Sequence, residues 1–310
     1  MKRTCIFSIL WTFVILVSAS HHVHAEKPKP LVKFQGCTLI PTDWADGDSF
    51  LVKTPRRRTF TLRLYGADCM EWHVHDDSDA RRLRAQRRYF GISKVSKNHQ
   101  SAIQLAKDFG QTATTRVTEL LKKPFTVYTA FADGRGDGKH KRYYGFISTS
   151  DNRDLASVLV TEGLARAFGV YRETPTGISS KEYRAHLKDM ELQAVMRRVG
   201  IWAKTDWNSL PAERRLQREE DAELQLAKTT PPAPLDPNNA ARDKLMLLPG
   251  IGETMANRII EGREQGPYKK KKDLIRIPGI GPKTLEKIQE YLIFQAPYRV
   301  DTPETTCFNR

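Results

Sequence analysis

Leu248-Pro249-Gly250-Ile251-Gly252 recurs as Ile277-Pro278-Gly279-Ile280-Gly281, and this repeat constrains the chain's fold more than any other feature. Each copy lies between short helical patterns, at 241–247 and 253–261 around the first and at 270–276 and 282–292 around the second. A Pro-Gly turn stops one helix and lets the next begin, so the segment reads as two helix–turn–helix units in tandem. Neither unit can bury an apolar face alone, so the two must pack on each other. Just upstream, Thr230-Pro231-Pro232-Ala233-Pro234 interrupts any helix or central strand and has the composition of a semi-rigid linker. A charged, helix-prone stretch at 210–228 precedes it.

The longer part of the 310-residue chain has a different period. Between 37 and 147, short runs alternate apolar with polar residues and are rich in β-formers. Strands are predicted at 49–53, 59–65, 125–131 and 143–148, with a fifth near 37–41, and five such strands fit a small barrel. Arg56-Arg57-Arg58 falls in the first hairpin turn, and Asp133-Gly134-Arg135-Gly136-Asp137-Gly138 forms a loop of turn residues. Helical periodicity follows at 101–121, 154–162 and 179–196, and Ile201-Trp202 reads as an apolar plug closing the unit. An insert at 76–100 is unusual: Arg81, Arg82, Arg84, Arg87, Arg88, Lys94 and Lys97 occur with Tyr89 and Phe90 and no acid between 81 and 97. Two readings stay open, a solvated helix face and a basic flap tracking a phosphate backbone.

Composition narrows the partners. Lys and Arg number 51 against 36 Asp and Glu, a formal net charge of +15, which favours a polyanion and argues against a basic partner. At 39% hydrophobic the chain can build cores and is not wholly disordered. Lys2 and Arg3, the apolar run at 5–19 and Val23-His24-Ala25 have the form of a secretory signal over 1–25, so a secreted or periplasmic, soluble product without a stable membrane partner is expected. Cys5 would leave with the signal, while Cys37, Cys69 and Cys307 remain, and which of them pair is open. No Cys-x-x-Cys occurs, which argues against a thiolate zinc site.

Residue types suited to chemistry concentrate at 46–71. Asp46-Gly47-Asp48 opens a strand, where a tight turn aims carboxylates at one spot. Arg63-Leu64-Tyr65-Gly66-Ala67-Asp68-Cys69-Met70-Glu71 runs along and off the next, with Arg63 and Tyr65 on one face by strand alternation and Asp68 and Glu71 in the following turn. Two aspartates and a glutamate suit a hard cation, and arginine forks suit a phosphodiester beside it. His73 and His75, with Asp76 and Asp77, have the residue types of a transition-metal site, although loop histidines more often bind nothing.

Asp46-Gly47-Asp48-Ser49, the 63–71 segment, Phe109-Gly110-Gln111-Thr112-Ala113, Arg142 and Leu159-Val160-Thr161-Glu162-Gly163-Leu164-Ala165 occur in the order found in thermonucleases. Over 37–205 the chain resembles the staphylococcal-nuclease-like domain. That resemblance implies an α+β fold, an OB-fold five-stranded β-barrel with flanking helices, and Ca²⁺-dependent hydrolysis of DNA and RNA. It implies Asp48, Asp68 and the backbone carbonyl of Cys69 as metal ligands. Glu71 would orient or deprotonate the attacking water, and Arg63 and Arg142 would clamp the phosphate. Tyr171 would stack on a base, with Gly169 in place of a second tyrosine. Met70 replaces a proline of the family, which leaves the turn before Glu71 less stiff.

The repeat, from Leu235-Asp236-Pro237-Asn238 to Ile293, resembles the tandem helix-hairpin-helix module of competence-type DNA receptors. It implies a small all-α domain at 235–294 that grips duplex DNA through Gly250, Gly252, Gly279, Gly281 and Lys283 without reading bases. Residues 206–234 then form a charged helix and linker, and 295–310 a tail. A non-catalytic DNA-binding protein with a decayed barrel is the competing reading; the intact set Asp48, Arg63, Asp68, Glu71 and Arg142 argues against it.

Overall fold

Seven strands form among the described residues: β1 (Val32–Ile40), β2 (Ser49–Lys53), β3 (Thr59–Leu64), β4 (Ala67–Cys69), β5 (Phe125–Asp133), β6 (Arg142–Ser148) and β7 (Ala165–Ala167). In β3 the alternation is explicit: Phe60, Leu62 and Leu64 point into the core, while Thr61 and Arg63 face outward and are partly exposed. Five strands close a barrel in the order β1-β2-β3-β6-β5, with β3 and β6 parallel and the other neighbours antiparallel. This is the five-stranded barrel expected from the sequence. β4 and β7 pair separately, with Asp68 opposite Arg166, where the sequence reading had only a turn. A three-residue strand is too short to show alternation.

The computed structural model describes residues 29–75, 77–95, 98–133, 141–226 and 234–294. The N-terminal signal, the turn-rich loop at 134–138, Asp76, Lys97, most of the Pro-rich linker, Cys307 and the tail lie outside the described residues. Among those described, no helix is long and apolar enough to cross a membrane.

Eight α-helices are described. α1 (Asp77–Phe90) and α2 (His99–Leu120) follow β4, α3 (Leu155–Thr161) and α4 (Ser180–Arg197) flank β7, and α5 (Leu210–Leu226), α6 (Arg242–Leu245), α7 (Glu253–Gly262) and α8 (Pro282–Ile288) complete the chain. Their starts are set by side chains that take orphan N–H groups: Asn98 caps α2, Asp154 caps α3, and Ser179 with Glu182 forms a capping box on α4.

The insert is a packed helix, not a flap lying on the surface. Met70, Leu83, Phe90, Ile92, Ala106, Ala194, Ile201 and Trp202 form a second apolar core beneath it, which also shows the Ile201-Trp202 plug in place. Arg84 and Arg88 pair with Glu220 of α5, and Arg214 donates to the Tyr89 carbonyl at 3.0 and 3.1 Å. Much of the insert's positive charge is therefore used within the chain, and α5 is a wall of the domain, not part of a linker. The Met70 side chain is buried in that second core, which anchors the turn before Glu71 by packing.

Leu245, Leu248, Ile251, Ile259, Ile260, Tyr268, Leu274, Ile277, Ile280, Leu285 and Ile288 make the core of the paired hairpins. The segment expected as a helix at 270–276 is a 3₁₀ turn, Lys271–Arg276, and the last helix stops at Ile288 before a further 3₁₀ turn. Gly250 and Gly279 occupy left-handed backbone at φ +76° and +100°, which is why each repeat needs its first glycine. The hairpins do not stand free of the barrel, as a flexible tether would allow. Their apolar core is continuous with that of the barrel. Glu264 pairs with buried Arg172 and lies 3.5 Å from the Tyr65 hydroxyl, and Glu261 is 3.1 Å from Arg184. These contacts link residues far apart in sequence, with no local pattern to announce them.

Candidate active site

Strand ends and one helix bring the charged residues of 46–71 together. The Asp46 carboxylate accepts the Ser49 N–H at 2.7 Å, which closes the turn that delivers Asp48 to the start of β2. A Cβ on Gly47 would come within 2.7 Å of the Ala113 Cβ and 2.8 Å of the Cys69 Sγ, so only glycine lets this turn lie against α2 and β4. Asp48, at 2% exposure, accepts the Cys69 N–H at 2.8 Å through Oδ2 and the Ser49 hydroxyl at 3.0 Å through Oδ1.

Arg63 bridges the two aspartates. Its Nη1 lies 3.2 Å from Asp48 Oδ1, and its Nη2 lies 2.9 Å from Asp68 Oδ1. Burial works against its charge, but Asp48 and Asp68 outweigh that and hold the guanidinium protonated. On the other side of Asp68, Arg166 Nε lies 2.7 Å from Oδ2 and Gln86 Nε2 donates to the same oxygen at 3.0 Å. Burial raises the Asp68 carboxyl, yet Arg166, Arg63 and Gln86 together hold it well below the usual carboxylate range. Arg166 is itself buried and stacked 4.1 Å from the Phe168 ring centre.

Glu71 sits at the mouth. Burial lifts its carboxyl above the ordinary value, Arg82 pulls it down, and Asp48 lifts it further, with a net rise. Arg82 Nε lies 3.1 Å from Glu71 Oε1 as an ion pair without hydrogen-bond alignment. The Gln86 amide accepts the Glu71 N–H at 2.9 Å and donates to the Cys69 carbonyl at 2.6 Å. Asp46 is pushed well above the carboxylate range by burial first, then by Asp48 and Glu71.

These groups face a cleft of about 770 Å³ lined by Asp46, Arg63, Glu71, Arg142 and Tyr144, with Arg242 on its rim. The strand register sets Thr61 beside Arg142 and Arg63 beside Tyr144, so both arginines expected to clamp phosphate open into one space. Asp48 and Asp68 lie beneath that floor, joined to it by Arg63. His73 and His75 also line the cleft, their rings 5.9 Å apart, and no cluster of three or more metal-ligating side chains occurs among the described residues. The donor chemistry at the floor, two carboxylates and a carbonyl oxygen, fits a hard divalent cation. Both carboxylates are already bridged by Arg63, and the Cys69 carbonyl keeps one lone pair beyond the Gln86 bond.

Tyr171 is not available to a base. It is 4% exposed, packed edge-on to Tyr183, and the Arg184 guanidinium lies 4.4 Å from its ring centre. The sequence reading missed Gln86 and Arg166. Arg82 and Gln86 stand one helical turn apart on the same face, and Arg166 alone breaks an alanine pair in β7, so both carried a faint signal. In the hairpins, Gly252 and Gly281 sit at the N-caps of α7 and α8, Gly250 and Gly279 lie on the exposed turns, and Lys283 is exposed in the first turn of α8.

Residues 84–204 match the family described as staphylococcal nuclease homologue, and residues 233–293 match the helix-hairpin-helix motif. The first match begins after β4, so Arg142 and Arg166 fall inside it while Asp48, Arg63, Asp68 and Glu71 precede it. The chain is 30% identical over 152 residues to the mouse (Mus musculus) protein "Endonuclease/exonuclease/phosphatase family domain-containing protein 1" and to its rat (Rattus norvegicus) counterpart. The human protein of that name is 29% identical over the same length. Each alignment covers 46% of this chain and 26% of the relative, so the chain spans about a quarter of the length of these relatives. A nuclease-like domain followed by a DNA-binding motif supports nucleic-acid binding.

Proposed function

We propose that this chain, which carries a staphylococcal-nuclease-homologue domain followed by a helix-hairpin-helix motif, is an exported, Ca²⁺-dependent nuclease acting on DNA, with RNA a second candidate substrate. The observation that carries the reading is the convergence of Arg63, Glu71 and Arg142 on one cleft above Asp48 and Asp68. A decayed barrel would have no reason to keep all five.

Asp48 and Asp68 would hold the cation, with the Cys69 carbonyl as a third ligand. Bound there, Ca²⁺ would supply Lewis-acid polarisation of the phosphoryl oxygen. With the cation between the aspartates in place of Arg63, the guanidiniums of Arg63 and Arg142 would face the same phosphate and neutralise the charge that builds on its equatorial oxygens. Glu71, whose carboxyl burial raises above its ordinary value, would take the proton from the attacking water as the water oxygen bonds to phosphorus and the bond to the leaving oxygen breaks. One amide, that of Gln86, thus holds both the Glu71 backbone and one oxygen of the Asp68 carboxylate. In the hairpins, backbone amides at Gly252 and Gly281 and the ammonium of Lys283 would take duplex phosphates without reading bases. The N-terminal pattern at 1–25 supports export.

Arg63→Ala and Arg142→Ala test the assignment. Each is expected to lower turnover on DNA by about 10²–10³, with Arg→Lys a poor rescue because a point charge lacks the fork. Wild-type turnover in either alanine variant would mean that the wrong arginine has been assigned.

A further inference from the structure

Arg242 stands at the first turn of α6, in the hairpin module, yet its side chain lines the same cleft as Arg63, Glu71 and Arg142. Two features set it there. Glu264 with Arg172, and Glu261 with Arg184, fix the hairpins on the barrel. Glu253 then takes Arg242 Nη1 at 3.0 Å, and Asp243 lies 3.4 Å from its Nε. These contacts take Nη1 and Nε, and the side chain is 15% exposed. Two of the three guanidinium nitrogens are therefore held by the protein, in a side chain that lines the cleft. Arg242 is also within electrostatic reach of Arg63, Asp68 and Tyr144.

A cleft of about 770 Å³ has room for more than one phosphodiester group. Arg63 and Arg142 face the reacting phosphate in the reading above, on which this inference rests. We propose that Arg242 is a second phosphate subsite, binding the backbone phosphate that flanks the scissile one. The hairpin module thereby completes the substrate channel as well as gripping duplex at a distance. Arg suits this place better than Lys, because two of its nitrogens can be fixed by Asp243 and Glu253 while a third remains for a substrate phosphate.

The test uses the full chain and compares a mononucleotide nitrophenyl ester, which has no flanking phosphate, with a short single-stranded oligonucleotide. Arg242→Ala is expected to raise the oligonucleotide KM about tenfold relative to the ester KM, as loss of a charge-assisted contact does. Its log-affinity against log-salt slope for the oligonucleotide should flatten by about 0.7, one single-strand phosphate. Glu253→Gln removes the ion pair but keeps the guanidinium, and should hold the KM ratio within about twofold of wild type. The proposal is overturned if Arg242→Ala moves both KM values equally, if it leaves ratio and slope unchanged, or if Glu253→Gln reproduces it. Should the wild-type chain cleave neither substrate, the nuclease reading fails, and the salt slope of binding alone still decides for or against Arg242.

Discussion

Glu264→Gln asks whether the hairpins are part of the folded enzyme. Glu264 and Arg172 form an ion pair in which both side chains are only 8% exposed, and the Tyr65 hydroxyl lies 3.5 Å from the same carboxylate. Burial pushes the Glu264 carboxyl up and Arg172 draws it back, so the site is poorly hydrated and the pair is held against desolvation. Removing one partner leaves the Arg172 charge without compensation, a change that costs about 3–5 kcal/mol in buried pairs. The amide keeps some hydrogen bonding, so a loss near the lower end, about 3 kcal/mol, is expected. In a chain this long, at roughly 2 °C per kcal/mol, that corresponds to a fall in Tm of about 6 °C. Thermal melts of the full chain and amide exchange across α6–α8 measure it. Arg172→Met combined with Glu264→Leu should recover most of the loss, because an apolar pair has no charge to strand. A Glu264→Gln melt within about 0.5 kcal/mol of wild type would refute the docked arrangement and restore the picture of a module on a free tether. By the same logic, ending the chain near residue 228 uncovers Tyr65 and Arg172, so truncation should destabilise the barrel as well as remove a DNA grip.

Three further outcomes follow from the site and the hairpins. Gln86→Leu orphans the Glu71 N–H and should cost about 1–3 kcal/mol in denaturant unfolding, with turnover lowered about 10–100-fold as the Asp68 carboxylate and the Glu71 backbone lose their common anchor. Asp68 has a folded pKa below its unfolded one, so its pairing stabilises above the ordinary carboxylate pKa of about 3.9 and that stability is lost as pH falls below it. The stability gap between wild type and Asp68→Asn should therefore be full at neutral pH and close progressively in acid, whereas a gap unchanged down to the acid limit would contradict the pairing. Gly279→Val should weaken the fold itself, since a Cβ there meets the Met255 methyl at 2.5 Å in left-handed backbone; Gly281→Val meets open space at an ordinary φ and should fold normally while losing duplex affinity.

What the chain revealed without coordinates followed its local periods. The barrel strands announced themselves because alternate positions such as Phe60, Leu62 and Leu64 are apolar, and the hairpins because a Pro-Gly turn repeats. Asp48, Arg63, Asp68 and Glu71 were legible because they crowd one short segment. Gln86 and Arg166 were not, because their partner Asp68 is 18 and 98 residues away and their local spacing carries only a faint signal. The insert illustrates the same limit. Its arginines read as free positive charge until α5 supplied Glu220, over a hundred residues downstream, to neutralise Arg84 and Arg88. Tyr171 failed for a converse reason: position along the chain says nothing of exposure, and here Tyr183 and Arg184 cover the ring.

The proposed activity is metal-dependent phosphodiester hydrolysis by Asp48, Arg63, Asp68, Glu71 and Arg142. Supercoiled plasmid incubated with the purified full chain tests it most directly, with added Ca²⁺, with excess chelator, and with Ca²⁺ restored after chelation. The expected result is nicking and linearisation with Ca²⁺, none in chelator, and recovery on restoration, with Arg142→Ala slowed by about 10²–10³ throughout. Cleavage undiminished by chelator would contradict the assignment of Asp48 and Asp68 as cation ligands. Intact plasmid under every condition, bound tightly by a folded chain, would instead identify a DNA-binding protein that performs no hydrolysis.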